Sequence, residues 1–168
     1  MNLDLCCGPR KPEGFYGIDS FNFDCVDKVH DLDCGIPLPN DSCDIVRAHD
    51  AIEHLHSPGQ TMSEIWRVLK DEGLVDILVP STDGRGAFQD GTHVSFWNEN
   101  SFGYWVNSED WMDYYRFERL FELVELSTTP MSQDRACHVI FKARAVKNSQ
   151  WIHKYNMRNQ ARMIEGEA

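Results

Sequence analysis

A chain of 168 residues with 42% hydrophobic and 26% charged side chains has the balance of one compact globular domain, and it excludes a disordered chain. The formal net charge of -11 argues against a protein built to grip bare nucleic acid, because that attraction needs clustered Lys and Arg. No apolar run approaches the ~18 residues of a membrane-spanning helix.

The chain opens almost inside its first strand, where Leu3, Leu5 and Cys6 precede the breaker Gly8-Pro9, and nothing is expected ahead of the domain. Phe15 to Ile18 reads as a second strand. It is reached through a loop, Arg10 to Gly14, where a doubly wound fold ordinarily places a crossover helix. A weak strand at Lys28 to His30 leads into Asp31-Leu32-Asp33 and a turn-rich stretch from Gly35 to Asp41. Cys43 to Ala48 forms a clearer fourth strand that ends in the polar cluster His49, Asp50, Glu53 and His54. Ser57-Pro58 then caps a helix with Met62, Ile65, Trp66 and Leu69 at helical spacing, Lys70 near its end and Gly73 just beyond. Leu74 to Val79 is a fifth, nearly continuous apolar strand that stops at Pro80.

Residues 81 to 118 break this rhythm with an aromatic-rich insertion that includes Phe88, Phe96, Trp97, Phe102, Trp105, Trp111, Tyr114, Tyr115 and Phe117. Segments of this length are usually lids or binding loops, and Asn98 to Val106 reads as a short capped helix within it. Leu120 to Leu126 and Cys137 to Val146 alternate as an antiparallel pair. One domain is therefore expected over 1–146, followed by a helical tail at 147–168 whose stripe of Trp151, Ile152 and Tyr155 offers a surface for self-association.

Six cysteines, at 6, 7, 25, 34, 43 and 137, contain no CxxC pair and no closely following histidine pair, so zinc-ligand spacing is missing and no metal site is expected. Without a secretory leader they are expected to stay reduced in a cytoplasm, as small buried hydrophobes. Between Arg135 and Arg162 there are seven Lys and Arg residues and no acid, a local basic stretch on an acidic body that reads first as solvated surface.

The strand ending Asp4-Leu5-Cys6-Cys7-Gly8, with Asp19 where the second strand stops, is the arrangement a nucleoside cofactor needs. The glycine lets backbone approach a ligand closely, and the acid accepts hydrogen bonds from ribose hydroxyls. Alone, the pair also fits a tight turn beside a solvated carboxylate. Further elements fall in order after it: Asp31-Leu32, Leu38-Pro39 with Asp44-Ile45-Val46, Ala51-Ile52-Glu53-His54-Leu55, and Arg67-Val68-Leu69-Lys70.

That order resembles the class I S-adenosylmethionine-dependent methyltransferases, in particular small enzymes with a methyltransferase type 11-like domain, from Leu3 to about Val79. The resemblance implies an α/β, Rossmann-like doubly wound, mainly parallel sheet with an antiparallel C-terminal strand pair. It implies S-adenosylmethionine as cofactor: Leu5, Cys6, Cys7 and Gly8 border the methionine moiety, Asp19 holds the ribose, Asp31 and Leu32 flank the adenine, and Ala48 and His49 pass the sulfonium. Two departures stand out, since Cys6 occupies a position that is ordinarily glycine and the helix after the first strand is missing or very short.

Methyl transfer gains much from positioning and asks for a base on the acceptor. His49 and His93 are the candidates, one directly after the fourth strand and one in the loop after the fifth, both at the carboxyl edge where open α/β sheets bind ligands. Asp50, His54, Phe96 and Trp97 are the candidate acceptor contacts. The reading is methyl transfer to a small molecule or glycan; the alternatives are a non-catalytic cofactor- or nucleotide-binding partner subunit and, against the charge, a nucleic-acid modifier.

Overall fold

The structure is a computed structural model, and it describes residues 1–106 and 120–147. The described residues form strands β1 (Asn2–Leu5), β2 (Phe15–Asp19), β3 (Lys28–Val29), β4 (Cys43–His49), β5 (Leu69–Pro80), β6 (Leu120–Thr128) and β7 (His138–Val146), with apolar residues at every second position clearest in β4 and β7. They form one sheet in the order β3-β2-β1-β4-β5-β7-β6. The pairs from β3 through β5 are parallel, and β7 runs antiparallel to both β5 and β6. This is the Rossmann-like α/β sheet expected, with its antiparallel C-terminal pair. Strand order reverses between β1 and β4, the crevice in which such sheets hold ligands.

As expected, no helix joins β1 to β2, and none joins β2 to β3. The main helix, α1 (Pro58–Val68), lies between β4 and β5. Its start differs in detail from expectation. Pro58 takes the first helical position, but Ser57 caps through its carbonyl, which accepts the Thr61 N–H at 2.9 Å, and not through its hydroxyl. The end differs too, because Leu69 to Gly73 belong to β5. Leu69 pairs with Cys43 and Leu74 with Ile45, so residues 70–73 form a bulge with Glu72 at φ 63°. Helical spacing carried through Leu69 because a buried strand residue satisfies the same pattern.

The two sheet faces have opposite chemistry. One presents Leu3, Leu5, Ile18, Val46, Ala48, Val75, Ile77, Val139 and Phe141 to the core, where Met62, Ile65 and Val68 of α1 join them. Phe102, in a 3₁₀ turn (Glu99–Tyr104) closed by the Asn98 capping box, stacks on Phe141 at 4.4 Å between centroids. The other face carries a charge row in register across five strands: Asp4 opposite Arg47, Arg47 opposite Asp76, Asp76 opposite Lys142, and Lys142 opposite Glu125. Signs alternate along it, the favourable cross-strand arrangement.

No helix among the described residues is long and apolar enough to cross a membrane. Trp111, Tyr114, Tyr115, Phe117 and the expected tail helix with Trp151, Ile152 and Tyr155 lie outside the described residues, as does its suggested role in self-association.

Candidate active site

The turn after β1 keeps the backbone of a glycine-rich loop despite its cysteine. Cys6 has φ 49° and Gly8 φ 54°, so Cys6 occupies the left-handed region at a cost of about 1 kcal/mol. A Cβ on Gly8 would meet nothing within 4 Å, which leaves open space beside the backbone. Asp19, at the end of β2, is buried and not solvated. One of its oxygens accepts the Gly8 N–H at 2.9 Å and the other the Phe21 N–H at 2.8 Å. Each oxygen keeps a lone pair for a further donor.

Asp31 and Leu32 follow at the end of β3, where Asp31 caps a 3₁₀ turn (Leu32–Cys34) through the Asp33 N–H and Leu32 is buried. Leu5 and Ala48 turn their side chains into the core, which leaves only backbone for a ligand. Burial, with Asp19 and Glu53 nearby, pushes the Cys6 thiol up to about 12, and burial with Asp4 raises Cys7 to about 11, so both are neutral, unreactive thiols at pH 7.

His49 and His93 occupy different places. His49 Nδ1 accepts from Arg47 Nη2 at 2.9 Å, and its Nε2 faces Asp76 Oδ1 at 3.4 Å. The ring thereby joins the charge row, and this contact holds the Asp76 carboxyl below its usual range.

His93 lines a cavity of about 570 Å³ at the carboxyl edge, together with Asp50, Glu53, His54, Asp90 and His138. Its Nδ1 donates to the Ala87 carbonyl at 2.9 Å, which leaves the Nε2 lone pair free. His54 Nδ1 likewise faces the Thr92 carbonyl at 3.3 Å. The two rings meet edge to face, 4.9 Å between centroids. Asp50, at φ 49° directly after β4, stands 3.3 Å from His138 Nε2.

Of the aromatic candidates, Phe96 is exposed and stacks on Phe88 at 5.2 Å. Trp97 is a core residue. It is 2% exposed, packs on Phe102 and Trp105, and donates its indole N–H to Ser95 Oγ. A ring buried against Phe102 and Trp105 has no face left for an acceptor.

In sequence Glu53 is one member of the polar cluster that follows the fourth strand. In the structure it is the most deeply buried acid of the cavity, 1% exposed, and no group makes a well-formed hydrogen bond to either carboxylate oxygen, although the Glu53 and Ala51 backbone N–H groups lie close. Burial pushes its carboxyl up to about 7, and backbone groups of Glu53 and Ala51 offset only part of that effect. His138 was also passed over, since in sequence it is simply the first residue of an alternating strand.

Comparison with known proteins agrees with this architecture. Residues 20–77 match the family model described as a methyltransferase domain. The fold is that of the class I S-adenosylmethionine-dependent methyltransferases. The chain superposes on a SAM-dependent methyltransferase from Methanosarcina mazei with a TM-score of 0.59 at 12% identity, covering 88% of this chain and 92% of that one. It superposes equally on 1,6-didemethyltoxoflavin-N1-methyltransferase from Burkholderia thailandensis, which was solved with 1,6-didemethyltoxoflavin and S-adenosylhomocysteine; the TM-score is 0.61 at 13% identity, over 87% of this chain and 71% of that one. A third neighbour is the protein in complex with the Trm112 methyltransferase activator of Haloferax volcanii, with a TM-score of 0.59 at 16% identity over 87% and 82% of the two chains. No curated protein matches the chain in sequence.

Proposed function

We propose that this chain binds S-adenosylmethionine at the β1–β2–β4 edge and transfers its methyl group to a small-molecule or glycan acceptor seated in the cavity beside His93. The observation that carries the reading is the alignment of an open glycine turn, the buried Asp19 carboxylate and the histidine-lined cavity along one carboxyl edge. The cofactor fits the residues present: Gly8 leaves room for close backbone approach, and Asp19 retains lone pairs for two hydroxyls. Bound there, it supplies an electrophilic methyl group on a sulfonium.

The chain's part is to position and to manage a proton. The cavity holds the acceptor, and the nitrogens of His93 and His54 that point away from their backbone carbonyls are placed to receive the proton it loses. Phe96 and Phe88 present an exposed stacked pair on the same loop, suited to a planar or sugar acceptor. An absent helix after β1 removes a dipole from the cofactor's edge and favours a second reading, a cofactor- or nucleotide-binding partner subunit without catalysis of its own.

The test is transfer of labelled methyl from S-adenosylmethionine to a panel of sugars, phenols and amines. Transfer that falls on His93→Ala supports the catalytic reading. Cofactor binding with no transfer across the panel supports the second.

A further inference from the structure

Three donors from two separate loops converge on one point of the cavity wall. Glu53 sits in the 3₁₀ turn (Ile52–His54) after β4 with its side chain 2% exposed, and neither of its oxygens accepts a well-formed hydrogen bond. Buried carboxylates in folded proteins are paired, hydrogen-bonded or bound to a cation, and these oxygens, supported only by the nearby Glu53 and Ala51 backbone N–H groups and by no well-formed bond, leave room for a cation. His54 Nε2 and His93 Nε2 each stand 4.0 Å from Glu53 Oε1. His93 Nδ1 donates to the Ala87 carbonyl, and His54 Nδ1 faces Thr92 through both its hydroxyl oxygen at 3.1 Å and its carbonyl at 3.3 Å. Such outer-shell bonds fix the tautomer of a metal-ligating imidazole and aim its other nitrogen at the ion.

The two loops are also bolted together, because the Glu53 carbonyl accepts N–H groups from Val94 at 2.9 Å and Ser95 at 3.1 Å. His93 is therefore delivered to Glu53 by the backbone itself. We propose that Glu53, His54 and His93 bind one divalent transition-metal ion, of which zinc is the type.

The ligand atoms lie within 4.8 Å of one another. Tetrahedral zinc with bonds of ~2.0–2.1 Å keeps its ligand atoms roughly 3.3–3.4 Å apart, so a modest closure of side chains completes the shell. Two imidazoles and one carboxylate suit zinc, cobalt or iron(II), whereas magnesium and calcium prefer an all-oxygen shell. Three protein ligands leave a position open to the cavity, as in catalytic and not structural zinc sites. Asp50 lines the same cavity and is available to orient a molecule held there. If the methyl-transfer reading holds, that position binds the acceptor oxygen and makes it easier to deprotonate, the proton passing to solvent because the Nε2 atoms of His54 and His93 are then ligands and no longer bases, and this last step alone rests on that reading.

The experiment titrates the chelator-treated full chain with Zn²⁺, and separately with Co²⁺ as a coloured probe, in the absence of S-adenosylmethionine. One ion per chain is expected, with the visible Co²⁺ absorption of a low-coordinate N/O site. Glu53→Gln, which keeps the shape of the side chain, and His93→Ala are each expected to weaken binding ~100-fold or more, the upper end of what losing even an outer-shell partner costs. His56→Ala, which removes the exposed imidazole paired with Asp33, leaves it unchanged. Thermal melting of the metal-free variants verifies that they fold. Wild-type binding no tighter than that of Glu53→Gln overturns the proposal, as does binding that is lost in His56→Ala. Cofactor titration in excess chelator tests the methyltransferase reading separately.

Discussion

The backbone N–H of Gly8 donates to Asp19 Oδ2 at 2.9 Å, tying the turn after β1 to the end of β2. This single bond joins the open glycine turn to the acid proposed to hold the ribose. With no crossover helix between these strands, the carboxylate takes over part of the work of holding the turn. Asp19→Asn is expected to act on both fold and binding. It removes a charge-assisted bond of ~1.5–3 kcal/mol, lowers the melting temperature and weakens S-adenosylmethionine binding ~10-fold or more. Calorimetric titration beside a thermal melt measures both; unchanged affinity contradicts the ribose assignment.

The charge row makes a different prediction. Asp4 is fully buried and Arg47 Nη1 reaches its Oδ1 at 2.7 Å. Arg47→Met strands that carboxylate and is expected to cost about 3 kcal/mol at neutral pH, while the double variant Asp4→Leu, Arg47→Met costs less than the single one. Burial raises the Asp4 carboxyl above its usual range. Its neutral form needs no partner, and losing Arg47 raises the carboxyl further, so the cost of Arg47→Met shrinks as pH falls from the variant's value to the lower wild-type one. Urea unfolding at two pH values gives the comparison, and an equal cost at both contradicts the assignment.

Asp76 carries the opposite sign. His49 is the first cause of its lowered carboxyl, with Lys142 and Arg47 adding to it. A depressed folded value contributes stability above the unfolded value of ~3.9 and loses it as pH falls through the folded one. Asp76→Asn is therefore expected to lower stability by about 1 kcal/mol near pH 7 and to flatten the acid limb of the stability curve. A variant whose acid limb matches wild type contradicts this.

Gly17 is held by space. A Cβ there would fall 2.6 Å from both Cys7 Sγ and Lys11 Cδ. Lys11 also pairs with Asp27, whose carboxylate accepts the Gly17 N–H at 2.7 Å, so Gly17→Ala displaces the loop that stands in for the missing helix. A loss of ~1–3 kcal/mol is expected. Gly8→Ala meets no such contact, and its cost comes from the positive φ alone, about 1 kcal/mol.

Much of this was legible in the sequence, and the misses share a cause. Strands with a clean period of two, such as Cys43 to His49 and His138 to Val146, declare themselves because one face is buried and the other is not. The absent first crossover was visible as well, since the residues from Gly8 to Gly14 are too few for a helix and two turns. Where local pattern and tertiary role diverge, sequence loses its grip. Leu69 satisfies a helical stripe and a buried strand equally well, and β4 pairing decides between them. Trp97 lies four residues from His93, yet packing against Phe102 takes it into the core. Glu53, His54 and His93 come together only because the Glu53 carbonyl holds the Val94 and Ser95 N–H groups across a separation of about 40 residues, which no spacing rule records.

The central claim is that the edge formed by Gly8, Asp19 and the β4 terminus is an S-adenosylmethionine site. Calorimetric titration of the full chain with S-adenosylmethionine, with S-adenosylhomocysteine and NAD run alongside, tests it most directly. The account predicts saturable binding of both sulfur nucleosides at one site, weakened by Asp19→Asn, with NAD unable to compete. No heat and no thermal stabilisation at millimolar cofactor, or equal binding of NAD, would contradict it.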